Sequence, residues 1–200
     1  FERVLPADDA AAAPKGSRIA LDPQGRPWAI TRDKRVWRCD RTPCEMQAIS
    51  AQDIDIGPDG SVFVADGEFK LRRLDAKSGN WEYVNVDAGT VAVGPGGRPW
   101  IVNAKSEVWA SAFFRRDESK DIGVAAASTQ NTTTSTTPVF TFRVNMLFDA
   151  VPLPAGFAPA NYPQVVRLAA GPAGKVMVVD GNFKFWTYTP ARKALAPENP

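Results

Sequence analysis

Tryptophan recurs at equivalent positions of similar runs in this 200-residue chain. Two of these tryptophans follow an Arg-Pro pair, a pattern suited to sugar binding. Trp28 and Trp100 belong to the similar runs "GRPWAIT" and "GRPWIVN". An exposed indole can stack on the C–H face of a pyranose while polar side chains hydrogen-bond its hydroxyl groups. The alternative is that the indoles fill the core between packed sheets. The predicted ligand-binding residues are Trp28, Trp100, Arg26, Arg98, Asn103 and Lys105.

Three polar residues, Asp66, Asn103 and Asp180, each follow an apolar run of similar composition. If these side chains converged on one axis, they would offer oxygen ligands for a metal-dependent hydrolase. The alternative is that Asp and Asn begin tight turns there, because they bond to nearby backbone and tolerate the left-handed conformation. The chain contains no histidine, which removes the commonest general base and the usual catalytic triads. We therefore expect a protein that is not an enzyme and that holds no metal or cofactor.

The only two cysteines, Cys39 and Cys44, flank a short turn in "WRCDRTPCEM". Two strands joined by such a turn bring their Cα atoms within disulfide reach. The spacing does not suit zinc, and no further Cys or His completes a metal site. The sequence leaves open a hairpin disulfide or two half-buried thiols. A disulfide would indicate an oxidising compartment, so that the protein would be secreted, periplasmic or at the cell surface.

The charges are balanced, with 24 basic and 22 acidic residues. This balance argues against nucleic-acid binding, which needs a clustered basic face. No apolar run approaches the roughly 20 residues that a membrane span requires. The chain begins at Phe1 without a methionine, and we expect it to be a processed or excised piece of a longer protein.

A turn motif of proline and glycine repeats along the chain and indicates the fold. Its prolines are Pro23, Pro58, Pro95 and Pro172, at spacings of 35, 37 and 77, the last close to two periods. Each turn is followed by short runs in which apolar residues alternate, which is typical of antiparallel strands. Four such strands in each period of about 38 residues predict an all-β fold, a β-propeller of four or five four-stranded antiparallel blades.

The whole chain, 1–200, is predicted to be one propeller domain with blades near 17–52, 53–89, 90–163 and 164–200. Residues 113–163 break the period and contain the polar run "STQNTTTSTTP". They form either a degenerate fifth blade or a long hairpin inserted in the third blade, with "MLFDAVPLP" as its closing strand. Residues 1–6 could close the ring by completing the last blade, unless the chain was cut from a larger propeller.

Three stretches of this sequence resemble the tectonin repeat of tectonin and tachylectin-type β-propeller lectins. They are "IALDPQGRPWAITRDKRVWRCD", "IDIGPDGSVFVAD" and "VAVGPGGRPWIVNAKSEVWAS". The unit from Arg167 has Met177 where the others have Trp28 and Trp100, and 113–163 does not match. "GPDGSVFVADG" is also similar to NHL and lactonase-type propeller strands. The tectonin resemblance implies weak glycan sites that recur around the ring and gain strength by avidity.

The sequence thus supports three hypotheses about function. The first is a non-enzymatic, tectonin-like propeller that binds glycan, surface polysaccharide or other cell-envelope ligands. The second is a scaffolding module that contacts a protein partner through the 113–163 arm. The third is a metal-dependent, lactonase-like hydrolase. The apolar side chains that the arm would offer to a partner are Phe113, Phe114, Phe140 and Phe142.

Overall fold

The computed structural model describes residues 16–41, 43–113, 143–144, 146–158, 167–171, 174–189 and 194–197. The regular secondary structure of these residues consists of β-strands, as the alternating pattern predicts. They form an eight-stranded sheet and two four-stranded sheets, which divide into four antiparallel units. In the described part of the chain, no helix is long and apolar enough to cross a membrane.

The first two units share one long strand. The first unit consists of β1 (Gly16–Leu21), β2 (Pro27–Thr31), β3 (Arg35–Arg38) and the first half of β4 (Glu45–Ile56). The second consists of the other half of β4, β5 (Val62–Asp66), β6 (Lys70–Leu74) and β7 (Trp81–Asp87). The sequence pattern predicts two separate strands where β4 runs. The structure joins them, since no glycine or proline interrupts β4 before Gly57.

The third and fourth units repeat this four-stranded design. The third consists of β8 (Thr90–Gly94), β9 (Arg98–Val102), β10 (Val108–Phe113) and β12 (Leu147–Ala150). The fourth consists of β13 (Arg167–Ala170), β14 (Val176–Val179), β15 (Phe185–Thr189) and β16 (Ala194–Pro197). Between β10 and β12, the short β11 (Arg143–Val144) lies parallel to β7 on the outer edge of the second unit.

Several predictions about chain organisation fall on residues outside the described ones. The strand at residues 1–6 is one of them, and the arm with Phe114, Phe140 and Phe142 is another. Phe113 ends β10, and the part of the arm from 114 to 142 lies outside the described residues. The degenerate fifth blade, the inserted hairpin, the blade boundaries and the number of blades therefore stay predictions.

The core lies between consecutive units rather than inside any one of them. The first strands of the units, β1, β4, β8 and β13, are neighbours in that order, as expected of sheets arranged around an axis. One apolar cluster fills each of the three junctions between units. Phe63, Ile101 and Trp186 are almost completely buried in these clusters. Burial of such a side chain stabilises the fold by about 1.5–3 kcal/mol.

The disulfide predicted from the cysteine spacing is confirmed. Cys39 and Cys44 are bonded, with their Cα atoms 4.3 Å apart. The bond closes the turn between β3 and β4 and leaves both cysteines almost fully buried.

Candidate functional site

A groove of about 490 Å³ opens between the outer strands of the second and third units. One wall comes from β7, and the other comes from β10, β12 and the residue just before β12. Aromatic rings, two amides and one carboxylate line it together. The lining residues are Tyr83, Asn85, Val86, Asp87, Asn103, Trp109, Met146 and Phe148.

The β7 wall is shaped by the alternation of side chains along a strand. Val84 and Val86 point to the core between the second and third units, where Val84 is fully buried. Tyr83, Asn85 and Asp87 alternate with these valines along β7, and Asn85 and Asp87 are exposed. The polar groups of the groove therefore lie on an outer strand that the core anchors through its valines.

Ionic contacts hold the polar face of this wall in place. Lys70 Nζ lies 2.5 Å from Asp87 Oδ1, and this hydrogen bond raises the pKa of Lys70. The Arg72 guanidinium lies 5.4 Å from the centre of the Tyr83 ring, and its Nε donates to Asp66 Oδ2 at 2.8 Å. A cation over an aromatic ring is worth about 0.5–1 kcal/mol at a partly exposed site.

The opposite wall is largely apolar. Trp109 and Phe148 are half-buried and pack at the edge of the core between the second and third units. Met146 is 8% exposed and belongs to the same core. This wall offers ring surface to a ligand without being free to move, because each side chain is packed on its inner side.

Asn103 enters the groove from the turn between β9 and β10. Its Oδ1 accepts the backbone N–H groups of Lys105 and Glu107 at 2.9 and 3.1 Å. Its Nδ2 donates to Glu107 Oε2 at 2.7 Å, a bond that lowers the pKa of Glu107. Asn103 thus builds the turn and lines the groove at once.

Asp66 and Asp180 occupy the same place in their own units and build the same turn. Asp66 Oδ1 accepts the N–H groups of Glu68 and Lys70, and Asp180 Oδ1 accepts those of Asn182 and Lys184. The residue three positions after each of Thr31, Asp66, Asn103 and Asp180 has a positive φ although it is not glycine. These residues are Lys34, Phe69, Ser106 and Phe183, with φ between 60° and 65°.

The positions of Asp66, Asn103 and Asp180 are therefore explained by turn chemistry. Their oxygens cap backbone N–H groups within four residues, as the turn interpretation predicts. Among the residues that the structure describes, no group of three His, Cys, Asp or Glu is placed to hold a metal ion.

The other predicted binding residues are dispersed. Trp28 and Trp100 are 3% and 8% exposed and lie in two different cores, so neither presents a ring face for a sugar. Arg26 is tied to Asp22 by a 2.6 Å ion pair in the β1–β2 turn. Arg98 is exposed at the start of β9, and Lys105 is exposed near the groove without lining it. Of the predicted set, Asn103 alone lines the groove.

The inner strands contain a second polar feature, a pair of largely buried carboxylates on β4. Asp53 Oδ1 lies 2.9 Å from Arg18 Nε of β1, and its Oδ2 accepts the N–H of Val91 of β8 at 3.0 Å. Asp55 Oδ2 accepts the N–H of Val93, also of β8, at 2.6 Å. Burial raises the pKa of both carboxyl groups, and Arg18 opposes this at Asp53. These contacts connect the first three units near their inner edges.

Comparisons with known proteins agree with the architecture. No family model matches the chain, and no curated protein matches it. Among solved structures, it is similar to "YCF48 bound to D1 peptide", with a TM-score of 0.51 and 10% sequence identity. The similarity covers 94% of this chain and 55% of that one, so the chain spans about half the length of this neighbour.

The described units have a β-propeller fold. This conclusion rests on two observations, the repeated four-stranded antiparallel units and the similarity to a solved propeller structure. It confirms the predicted fold class at that level. At 10% identity, the similarity supports the fold alone and assigns to this chain neither the tectonin family nor a ligand.

Proposed function

We propose that this propeller is a non-enzymatic binding module that holds an extended segment of a partner protein in the groove between its second and third units. The observation that carries the proposal is the composition of the groove, in which Tyr83, Trp109 and Phe148 are combined with exposed amide and carboxylate groups. Aromatic surface with a few fixed polar groups is the usual composition of a binding site. The groove is built mainly on strands, which fixes its shape before a ligand arrives.

The edge of β7 favours an extended peptide as the ligand. β11 pairs with β7 at Tyr83 and Val84 only. Within the described residues, no strand pairs with Asn85–Asp87 on this side of β7. An extended peptide can add to such an edge through main-chain hydrogen bonds, while its side chains enter the adjacent groove.

Two further observations support the proposal. The similar structure is a propeller solved with a peptide bound, which makes peptide capture a reasonable use of this architecture. The Cys39–Cys44 disulfide suits an oxidising environment, which supports the proposal that the protein is secreted, periplasmic or at the cell surface.

A glycan is the second candidate ligand, because the same groove combines ring faces with amides. Tyr83 and Trp109 are half-exposed, and Asn85 and Asn103 lie beside them. Under this candidate, the protein keeps the lectin function that the tectonin resemblance implies. The sugar would stack in the groove rather than on the buried Trp28 and Trp100.

One substitution in the groove tests both candidates. Asn85→Arg places a bulky cation in the groove, and Ala48→Arg places the same side chain at the corresponding exposed position of the first unit, outside the groove. Wild type and both variants are applied to an array of random peptides and to a glycan array. We expect peptide binding that Asn85→Arg weakens about tenfold or more and that Ala48→Arg leaves unchanged.

The remaining outcomes decide against the proposal. Glycan binding that Asn85→Arg removes, without peptide binding, selects the lectin instead. Binding that both variants retain places the ligand elsewhere and rejects the groove. Thermal unfolding of both variants is measured in parallel, so that loss of folding is not mistaken for loss of binding.

A further inference from the structure

The junctions between units are built from corresponding residues of the repeat. Each unit turns one face toward the preceding unit, formed by three apolar positions on its first two strands. These positions are occupied by Ile54, Ile56 and Val64, then by Val91, Val93 and Ile101, then by Leu168, Ala170 and Val178. Each set is packed in a core between units.

The opposite face of each unit follows the same rule. Three positions on the second and third strands of a unit pack against the unit that follows. They are occupied by Trp28, Ile30 and Val36, then by Phe63, Ala65 and Leu71, then by Trp100, Val102 and Val108. All nine residues are buried. A junction therefore always joins one face of each kind.

In the first described unit, no described unit packs on the face that the other units turn toward the unit before them. We call this the first terminal face, made of the residues at the corresponding positions and their cross-strand neighbours. Ile19 and Leu21 are 71% and 58% exposed, although their counterparts in the other units are packed in the core. Ile19 pairs with Ala29, which is 7% exposed, and Ala29 pairs with the half-buried Trp37. Trp37 pairs in turn with Met46, which is 53% exposed. An apolar row thus crosses the whole unit.

In the fourth unit, no described unit packs on the face that the other units turn toward the unit after them. We call this the last terminal face, made of Met177, Val179 and Phe185. Phe185 is 52% exposed, while the residues at its position in the other units, Val36, Leu71 and Val108, are at most 1% exposed. Met177 and Val179 are half-exposed. The described units therefore present one face of each kind on which no other described unit packs. The two faces match each other in the same way as the two faces of each junction between units.

We propose that two copies of this chain associate head to tail, with the last terminal face of each copy packed on the first terminal face of the other. A two-fold axis along the propeller axis forms both junctions at once and closes the ring. The length of the similar structure supports this occupant, because 94% of this chain covers only 55% of that chain. A second copy would provide further units for the part of that architecture that one copy does not cover.

The inner strands predict how the association responds to salt. Arg18 of the first unit lies beside Asp53, which occupies the same position in the second unit. In the third and fourth units, Thr90 and Arg167 occupy that position. Each junction between copies would therefore bring two arginines together. Added salt screens this repulsion and strengthens apolar contacts, so the dimer should tighten as the salt concentration rises.

The test is the molar mass of the full chain in solution, measured by light scattering and sedimentation over a range of concentrations. We expect a species of twice the 21.7 kDa chain mass that becomes more abundant with salt. Leu21→Asp and Phe185→Asp should each weaken it about tenfold or more, since either change spoils both junctions. Arg167→Asp should tighten it, because an Asp–Arg pair replaces two arginines. Leu153→Asp, at another exposed leucine outside both faces, is the control and should have no effect.

Other results overturn the proposal. A monomer at every concentration and salt level shows that the two faces do not meet. A dimer that Leu21→Asp and Phe185→Asp leave intact uses another surface. Growth into long assemblies shows that the junction does not close between two copies. Circular dichroism and thermal unfolding of each variant separate lost association from lost folding.

Discussion

The inner and outer ends of the junction between the second and third units are built on different principles. At the inner end, Asp53 and Asp55 reach across to backbone N–H groups of β8, and apolar side chains fill the space around Phe63. At the outer end, β7 and β12 diverge and leave the groove. The contrast teaches that the inner strands fix how the units are arranged, so that the outer strands can separate into a groove without loss of that arrangement.

The largest effect should come from removing apolar volume at the inner end. Phe63 is 0% exposed in the core between the second and third units, and Phe63→Ala should lower the free energy of unfolding by about 3–5 kcal/mol. Phe148→Ala, on the half-buried wall of the groove, should cost a fraction of this, because water already reaches that ring. Urea unfolding of both variants measures the difference. Equal losses would mean that the outer wall is as much a part of the core as the inner strands.

A smaller effect is expected when the ion pair at the inner strands is neutralised. Asp53→Asn keeps an oxygen that accepts the N–H of Val91 but leaves Arg18, whose side chain is 27% exposed, without its carboxylate. The raised pKa of Asp53 means that Asn removes a cost of burying charge, but the amide N–H₂ group then faces the Arg18 guanidinium in place of Oδ1. We therefore expect a net loss of about 1–2 kcal/mol. Asp53→Asn combined with Arg18→Met should recover part of this loss, since no unpaired charge remains. If the double variant is as unstable as the single one, the ion pair does not account for the loss.

How far the sequence predicts the fold can be judged from particular residues. The turn prolines, such as Pro23 and Pro58, predict the first two strands of a unit, because Pro and Gly restrict the backbone locally. The cysteine spacing predicts the disulfide for the same local reason. The continuity of β4 is not predicted by the sequence, because the repeat period divides the chain between residues 52 and 53. In fact, the strand simply passes from one unit to the next at Ala51.

The groove could be predicted only in part. Asn103 was identified because it repeats in register with Asp66 and Asp180. Tyr83 and Asn85 lie on an outer strand without a motif, and they line the groove together with Met146 and Phe148, which are distant in the sequence. That proximity is set by long-range packing and not by the local sequence. The sequence predicts both a buried and a sugar-binding placement for Trp28 and Trp100, since spacing alone does not tell an indole in the core from one at the surface, and the structure buries both.

The smallest expected effect is the pH dependence that Asp55 gives to stability. Burial raises the pKa of Asp55, and the nearby Asp53 charge raises it further, while the N–H of Val93 opposes the shift. A carboxyl whose folded pKa lies above its unfolded value binds protons more tightly in the folded state, so stability falls as pH rises from the unfolded pKa toward the folded one. Asp55→Asn keeps an acceptor for Val93 and has no charge to bury, so it should remove part of this fall. We expect the variant to match wild type at pH 3 and to be more stable by up to about 1 kcal/mol at pH 7. Thermal unfolding from pH 3 to pH 7 measures both curves, and a variant less stable than wild type at pH 7 would show that the Asp55 charge itself stabilises the junction.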